Sequence, residues 1–378
     1  MSRLPAIGIT CYPSQGGSGI VATELGLNLA RSGYAVHFIC QSLPLRLREY
    51  RDNVFYHEVE MADYPVFQYP PYTLSLATAM AETAQRHGLD ILHVHYAIPH
   101  AASAYLARQM VGADRLSLVT TLHGTDITLV GQEPAFFPMT RFLIEQSDAV
   151  TAVSGFLARE TRRVFGCARD IDVIPNVVDT RQFAPRDDRR ARHRWCAPEE
   201  ALLVHASNFR EVKNVPAVVD VFAGVAARRP AHLLLLGDGP ERKPALERLR
   251  GLGLADRVTA PGLVEDLADV LPECDLMLLP SRHESFGLIA LEAMSCGVPV
   301  IATDRGGTDE FIDDGINGYL RAPDDIAGMT AAALAILGDR GAWRHMREEA
   351  RRDAVESFGA RCVLRRYIEL YDRVIASR

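Results

Sequence analysis

The sequence predicts an α/β protein made of two doubly wound, parallel-sheet domains, and three observations carry that prediction. Short apolar runs alternate with stretches of helical periodicity along most of the chain, the pattern of repeated βαβ units. The length of 378 residues exceeds the ~250–300 at which single cores stop growing. The alternation is interrupted by an extended Pro/Asn segment at 171–179 and then resumes.

The first series starts with a strand at 6–10, where Ala-Ile-Gly-Ile-Thr is an apolar run, and continues into a helix over 19–32. A second strand follows at 35–40, then a helix at 73–87, a strand at 91–95, a helix at 101–109 and a strand at 116–122. Each strand is a short apolar run, and each helix carries apolar residues at three- and four-residue spacing. The segment 171–179 is taken as the first crossing between domains. The second series has strands at 201–206, 232–237, 258–260, 275–279 and 299–303, with helices at 215–227, 243–251 and 286–296. The last stretch, 360–376, places Val363, Leu364, Tyr367, Ile368, Leu370, Tyr371, Val374 and Ile375 at helical spacing. On pattern alone it could cap the second domain.

Composition narrows the function. Residues up to Pro175 carry 13 basic and 16 acidic side chains and the remainder 28 and 32, so neither half has the net basic charge of a nucleic-acid or anionic-membrane binder. The densest basic run, 186–194, is interleaved with acids and reads as a solvated surface segment. No run approaches the ~18–20 apolar residues of a membrane span. The start enters a strand with no signal-like apolar region before it, so a cytoplasmic protein is expected. Seven scattered cysteines without a C-x-x-C spacing fit reduced thiols rather than disulfides or a zinc cage.

Glu284 and Glu292 flank the start of an expected helix, after an apolar strand closed by Pro280-Ser281. If both lay on that helix they would stand roughly 12 Å apart along its axis. That is too far to share a proton, and it exceeds the ~5–9.5 Å of glycosidase carboxylate pairs. The two acids suit an extended ligand, with the helix amino-terminus near Gly287 free to take an anion.

Other motifs fall at strand ends. Gly16-Gly17-Ser18-Gly19 could bring backbone amides to a phosphate or carboxylate, or be a packing turn; the strand at 35–41 ends without the acid a dinucleotide site wants. His123-Gly124-Thr125-Asp126 sits at a carboxyl edge, where the histidine could donate to a sugar hydroxyl or only cap its loop. His93, His95 and His100 lack an acid or cysteine to complete a ligand set, so no metal is expected and a partly buried histidine pair is the simpler reading. Arg210 and Lys213 set two cations three residues apart, suited to a phosphate or to an ion pair with Glu211; the chain has only one other lysine, Lys243. Gly237-Asp238-Gly239 looks like a turn requiring close backbone approach.

Taken in order, the glycine turn, the His-Gly-Thr-Asp edge, Arg210 with Lys213, the Gly-Asp-Gly turn and Glu284-x7-Glu292 resemble the retaining GT-B glycosyltransferases of family four along the whole chain. Segments 7–14, 69–72, 95–100 and 120–126 are similar to members that join N-acetylglucosamine from UDP-N-acetylglucosamine to L-malate. The resemblance implies two Rossmann-like domains facing across a cleft: residues 1–175 with 358–378 for the acceptor, and 176–357 for the nucleotide sugar. It implies that Glu292 holds the ribose, Glu284 the sugar hydroxyls, and the Gly287 and Leu288 amides the diphosphate. Gly17, Asn208, Gly237 and Phe286 would complete the donor site. Arg210 and Lys213 would neutralise the leaving phosphate, with His123 against the donor sugar, while Ser18, Tyr96, Thr121 and Arg141 would hold the acceptor. No cofactor, essential metal, nucleic acid or membrane insertion is implied, and a homo-oligomer is left open. Three alternatives stand beside this reading. They are another acceptor such as inositol phosphate, a pyridoxal-phosphate phosphorylase with Lys213 or Lys243 as its Schiff-base lysine, and a non-catalytic nucleotide-sugar-binding module.

Overall fold

The computed structural model describes residues 3–13, 17–47, 51–61, 69–186, 188–189 and 191–378. Ser14 and Gly16 of the opening motifs, and Asp187 and Arg190 of the basic run, lie outside the described residues. The chain divides into two compact units, Met1–Val177 with Ala360–Arg378, and Val178–Gly359.

The first unit contains strands β1 (Ala6–Thr10), β2 (Ala35–Cys40), β3 (Val54–Glu58), β4 (Ile91–His95), β5 (Ser117–Leu122), β6 (Ala149–Ala152) and β7 (Ile171–Val173). They form one parallel sheet in the order β3-β2-β1-β4-β5-β6-β7. Helices α1 (Gly17–Arg31), α2 (Tyr72–His87), α3 (His100–Val111), the single turn α4 (Thr125–Thr128), α5 (Phe137–Gln146) and α6 (Gly155–Phe165) connect them. β1, β4 and β5 are buried along their full length, as parallel strands covered on both faces must be. Helix ends follow local chemistry: Ser154 accepts from the Leu157 amide to start α6, and Gly166 closes it in the left-handed region.

The second unit repeats the plan with β8 (Ala201–Ala206), α7 (Val215–Ala226), β9 (Ala231–Leu236), α8 (Arg242–Gly251), β10 (Val258–Gly262), β11 (Leu276–Leu279), α9 (Leu288–Ser295), β12 (Val300–Thr303), β13 (Gly318–Arg321), α10 (Ile326–Gly338) and α11 (Arg340–Phe358). Its parallel sheet runs β10-β9-β8-β11-β12-β13. In both sheets the order reverses beside the first strand, between β1 and β4 and between β8 and β11. Open parallel sheets bind ligands at the carboxyl ends of strands flanking such a reversal.

The last helix, α12 (Ala360–Ala376), takes the second of the two placements left open by the sequence and lies in the first unit: Val363, Tyr367, Leu370, Tyr371 and Val374 are buried in a core with β1, β2 and α1. Three expectations are corrected. Residues 171–173 are still sheet, as β7, and the chain passes to the second unit after Val177. The helix expected over 286–296 begins at Leu288, because Gly287 (φ 92°) breaks the backbone path, so Glu284 is not on it. The basic run is solvated only in part: Asp188, His193 and Arg194 are exposed, while Arg189 and Arg192 hold the Asp275 carboxylate at 2.8 and 2.5 Å. That carboxylate accepts as well from the Leu202 amide at 2.7 Å, tying the run to the start of β8 and β11.

Candidate active site

Each unit gathers its polar residues at the sheet edge beside the strand-order reversal. In the second unit, β8 leads into Ser207-Asn208-Phe209-Arg210. Phe209 is fully buried in a left-handed conformation (φ 45°), and this turns Asn208 and Arg210 outward to solvent. The loop packs against the one after β9: a Cβ on Gly237 (φ 114°) would lie 1.9 Å from the Ser207 carbonyl oxygen, so only glycine fits.

Lys213 reaches from the same loop to the one after β11 and donates to Glu284 Oε1 at 2.6 Å, where Ser281 Oγ also donates at 2.8 Å. Its partner is thus Glu284 and not the adjacent Glu211. Glu284 is held by backbone as well, since its carbonyl accepts from the Gly307 amide at 2.8 Å and its amide donates to the Arg305 carbonyl at 3.2 Å. Arg210 is exposed, and among the described residues its guanidinium makes no hydrogen bond or ion pair. Two cations therefore stand at one edge, one pinned by a carboxylate and one available to an anion.

Behind them, His205 donates through Nδ1 to the Leu278 carbonyl at 2.9 Å and accepts from Ser207 Oγ at 2.8 Å. Burial pushes its pKa down to about 4, aided by the Lys213 charge, so it adds no third cation. Phe286 anchors the start of α9 against Phe311 and Phe358. Gly287 and Leu288 begin that helix, whose free amides favour an anion. Glu292 is buried one turn further on.

In the first unit the edge is lined by neutral rings. Tyr12 after β1, Tyr96 and His100 after β4, and His123 after β5 pack edge-to-face or tilted, with centroids 4.5 to 6.3 Å apart. His95 Nδ1 and His123 Nε2 are 2.8 Å apart, and His95 Nε2 is buried without a partner. An orphaned acceptor costs less than an orphaned N–H, which assigns the proton to His95 Nδ1. His123 then accepts through Nε2 and carries its own proton on Nδ1. Its pKa falls to about 3 through burial and the nearby His100, so the ring is a neutral donor.

Asp126 fixes this edge. Its carboxylate accepts from the Ala97, Gly124 and His123 amides at 2.9, 2.9 and 3.2 Å, linking the loops after β4 and β5. Burial raises its pKa while those amides oppose the rise. Tyr96 sits at φ 91°, held there by its amide bond to the Thr121 carbonyl at 2.9 Å. Burial lifts the pKa of its hydroxyl to about 12, and the nearby Ser18 at the start of α1 and Thr125 oppose that rise.

The structure thus brings Ser18, Tyr96 and His123 together, with Gly17 exposed at the α1 start. It does not do so for the other two acceptor candidates. The Thr121 hydroxyl is enclosed in the core, 2.6 Å from both His93 Nε2 and Thr151 Oγ1. It supports the strand end rather than facing a ligand. Arg141 is exposed on α5, and no contact among the described residues joins it to Ser18, Tyr96 or His123. The expected half-buried His93–His95 pair is fully buried, and His93 Nδ1 meets the Tyr371 hydroxyl of α12 at 2.7 Å. Sequence reasoning missed Asp126 as the brace of the edge and Ser281 as a partner of Glu284; an acid three residues after a strand-end histidine was the signal for the first.

Comparison with known proteins agrees with this layout. Residues 15–182 match Glycosyltransferase Family 4 and residues 200–339 match Glycosyl transferases group 1. The chain is 48% identical to N-acetyl-α-D-glucosaminyl L-malate synthase of Bacillus anthracis, over 98% of this chain and 97% of that one. It is 31% identical to D-inositol 3-phosphate glycosyltransferase of Nocardia farcinica, over 68% of this chain and 60% of that one. Among solved structures, Anabaena HepE in complex with UDP and glucose matches with a TM-score of 0.83 at 20% identity, over 98% of this chain and all of that one. Sucrose-phosphate synthase from Thermosynechococcus elongatus matches with a TM-score of 0.82 at 22% identity, over 99% of this chain and all of that one. These likenesses bear on the GT-B fold, and the sequence matches carry the family. This chain belongs to glycosyltransferase family 4, within the group 1 glycosyltransferases.

Proposed function

We propose that this transferase moves N-acetylglucosamine from UDP-N-acetylglucosamine to the hydroxyl of L-malate with retention at the anomeric carbon. The product is N-acetyl-α-D-glucosaminyl L-malate, and the reaction opens bacillithiol synthesis. The observation that carries the reading is the 48% identity to the Bacillus anthracis synthase across nearly the full length of both chains. The free cation of Arg210 beside Lys213 suits a departing diphosphate.

In this reading the bond from C1 to the UDP oxygen breaks, the malate oxygen bonds to C1 on the same face, and the hydroxyl proton passes to the departing β-phosphate. Arg210, Lys213 and the Gly287 and Leu288 amides stabilise the charge that develops, so no metal is needed. Glu292 takes the ribose and Glu284 the sugar hydroxyls, with Asn208, Gly237, Phe286 and Gly17 shaping the donor site. Neutral His123 donates to the sugar from Nδ1. Ser18, Tyr96 and the α1 amino-terminus receive the acceptor carboxylates. The cysteine usage suits a cytoplasmic location.

The test is to incubate the purified protein with UDP-N-acetylglucosamine and L-malate, measure UDP release, and read the anomeric proton coupling of the product. Malate-dependent release with an α-linked product is expected. Release with inositol phosphate but not malate would transfer the assignment to the acceptor class named by the Nocardia relative, and UDP affinity without turnover on any acceptor would leave a binding module.

A further inference from the structure

Three histidines far apart in sequence meet away from the transferase residues. His37 lies on β2, His57 on β3 and His87 on the last residue of α2, all in the first unit. One ring nitrogen from each lies within 4.8 Å of the other two, and His37 Nδ1 stands 2.9 Å from His57 Nε2. Among the described residues this is the one group of three metal-ligating side chains that converge so closely.

We propose that His37, His57 and His87 form a binding site for a late first-row divalent cation such as zinc. Tetrahedral zinc with Zn–N bonds of ~2.0–2.1 Å sets its ligand nitrogens roughly 3.3 Å apart. The observed span brackets that value, and His87, the exposed member, has room to swing inward while buried His37 and half-buried His57 stay fixed. The ring of His37 is stacked at 4.6 Å on Phe55, which holds its orientation as a support behind a ligand should. His87 ends α2 just before Gly88, so the cation sits near the negative end of that helix dipole. Arg86 acts electrostatically on His57 and opposes a cation there. Three imidazoles, joined by no carboxylate among the described residues, suit zinc, copper or nickel rather than magnesium or calcium, and the fourth position is left to water. Bound there, the cation joins the end of α2 to two strands at one side of the sheet.

Metal-free full-length protein is titrated with Co2+, followed by absorption, and then with Zn2+, followed by bound metal per chain and thermal midpoint. One equivalent with a four-coordinate imidazole spectrum, displaced by zinc, and a zinc-dependent rise in the midpoint are expected. His87→Gln, at the surface, should weaken binding by roughly 10–100-fold or more, the loss seen even when only a supporting partner of a ligand is removed. It should also abolish the zinc-dependent rise and leave transferase turnover unchanged. His57→Gln should behave alike, and His37→Ala is informative only if folded by circular dichroism. Absence of a cobalt spectrum, or His87→Gln binding zinc as tightly as the parent, would overturn the site.

Discussion

Replacing Lys213 by methionine separates what this side chain does for the fold from what it does for the reaction. Its ammonium lies 2.6 Å from Glu284 Oε1, with side-chain exposures of 20% and 9%. Removing one member of a buried pair costs ~3–5 kcal/mol, because the charge left behind has no counterion. Here Glu284 keeps the Ser281 hydroxyl at 2.8 Å and water reaches the lysine end, so roughly 1–3 kcal/mol is expected. Glu284→Gln in the same background removes the stranded charge and should return most of that stability. The catalytic loss has another origin: one oriented cation at a developing phosphate charge is worth ~10²–10³ in kcat. Urea denaturation reads the first effect and UDP release at saturating substrates the second, and the double variant should recover stability while turnover stays low. A folded Lys213→Met protein with kcat within about fivefold of the parent would refute the leaving-group role. A double variant no more stable than Lys213→Met would refute the stranded-charge account.

Two further expectations follow from the site. His93 and His123 are held near pKa 3, and His37, His100 and His205 near 4, chiefly by burial. These folded values lie below the unfolded ~6.5, so acid protonates the unfolded chain first: stability is intact above about pH 6.5 and should fall from there toward pH 4. A urea midpoint constant over that window would contradict the burial of these rings, and a descending limb in turnover centred near 6.5 would contradict a neutral His123. Arg141→Ala should leave the malate KM within about twofold, because the side chain is exposed on α5 and no contact among the described residues joins it to Ser18, Tyr96 or His123; a rise of tenfold would return Arg141 to the acceptor site.

Where sequence pattern carried the fold, it did so through burial. The strands at 6–10, 35–40, 91–95 and 201–206 were read with their observed bounds because central parallel strands are continuous apolar runs. β3 was invisible to the same reasoning: Val-Phe-Tyr-His-Glu is an edge strand, partly exposed and polar at one end. The loops at both reversals were legible as motifs, and their pairings were not. Lys213 sits 71 residues from Glu284 and His93 sits 278 from Tyr371; the strand order joins the first pair and the return of α12 onto the first sheet joins the second. The three-histidine cluster was missed for that reason too, since no short spacing announces ligands drawn from two neighbouring strands and a helix end.

The placement of α12 has a consequence for the order in which the protein is made. Its five buried side chains, each worth roughly 1.5–3 kcal/mol, and the 2.7 Å bond from Tyr371 to His93 complete the core of the unit that is synthesised first. Residues 178–359 must leave the ribosome before that helix exists, and at ~5–20 residues per second this takes on the order of 10–40 s. The nascent first unit therefore waits with an unfilled apolar face while the second, continuous in sequence, folds ahead of it. Chaperones that shield apolar surface should engage this chain during that interval, and release should coincide with emergence of α12.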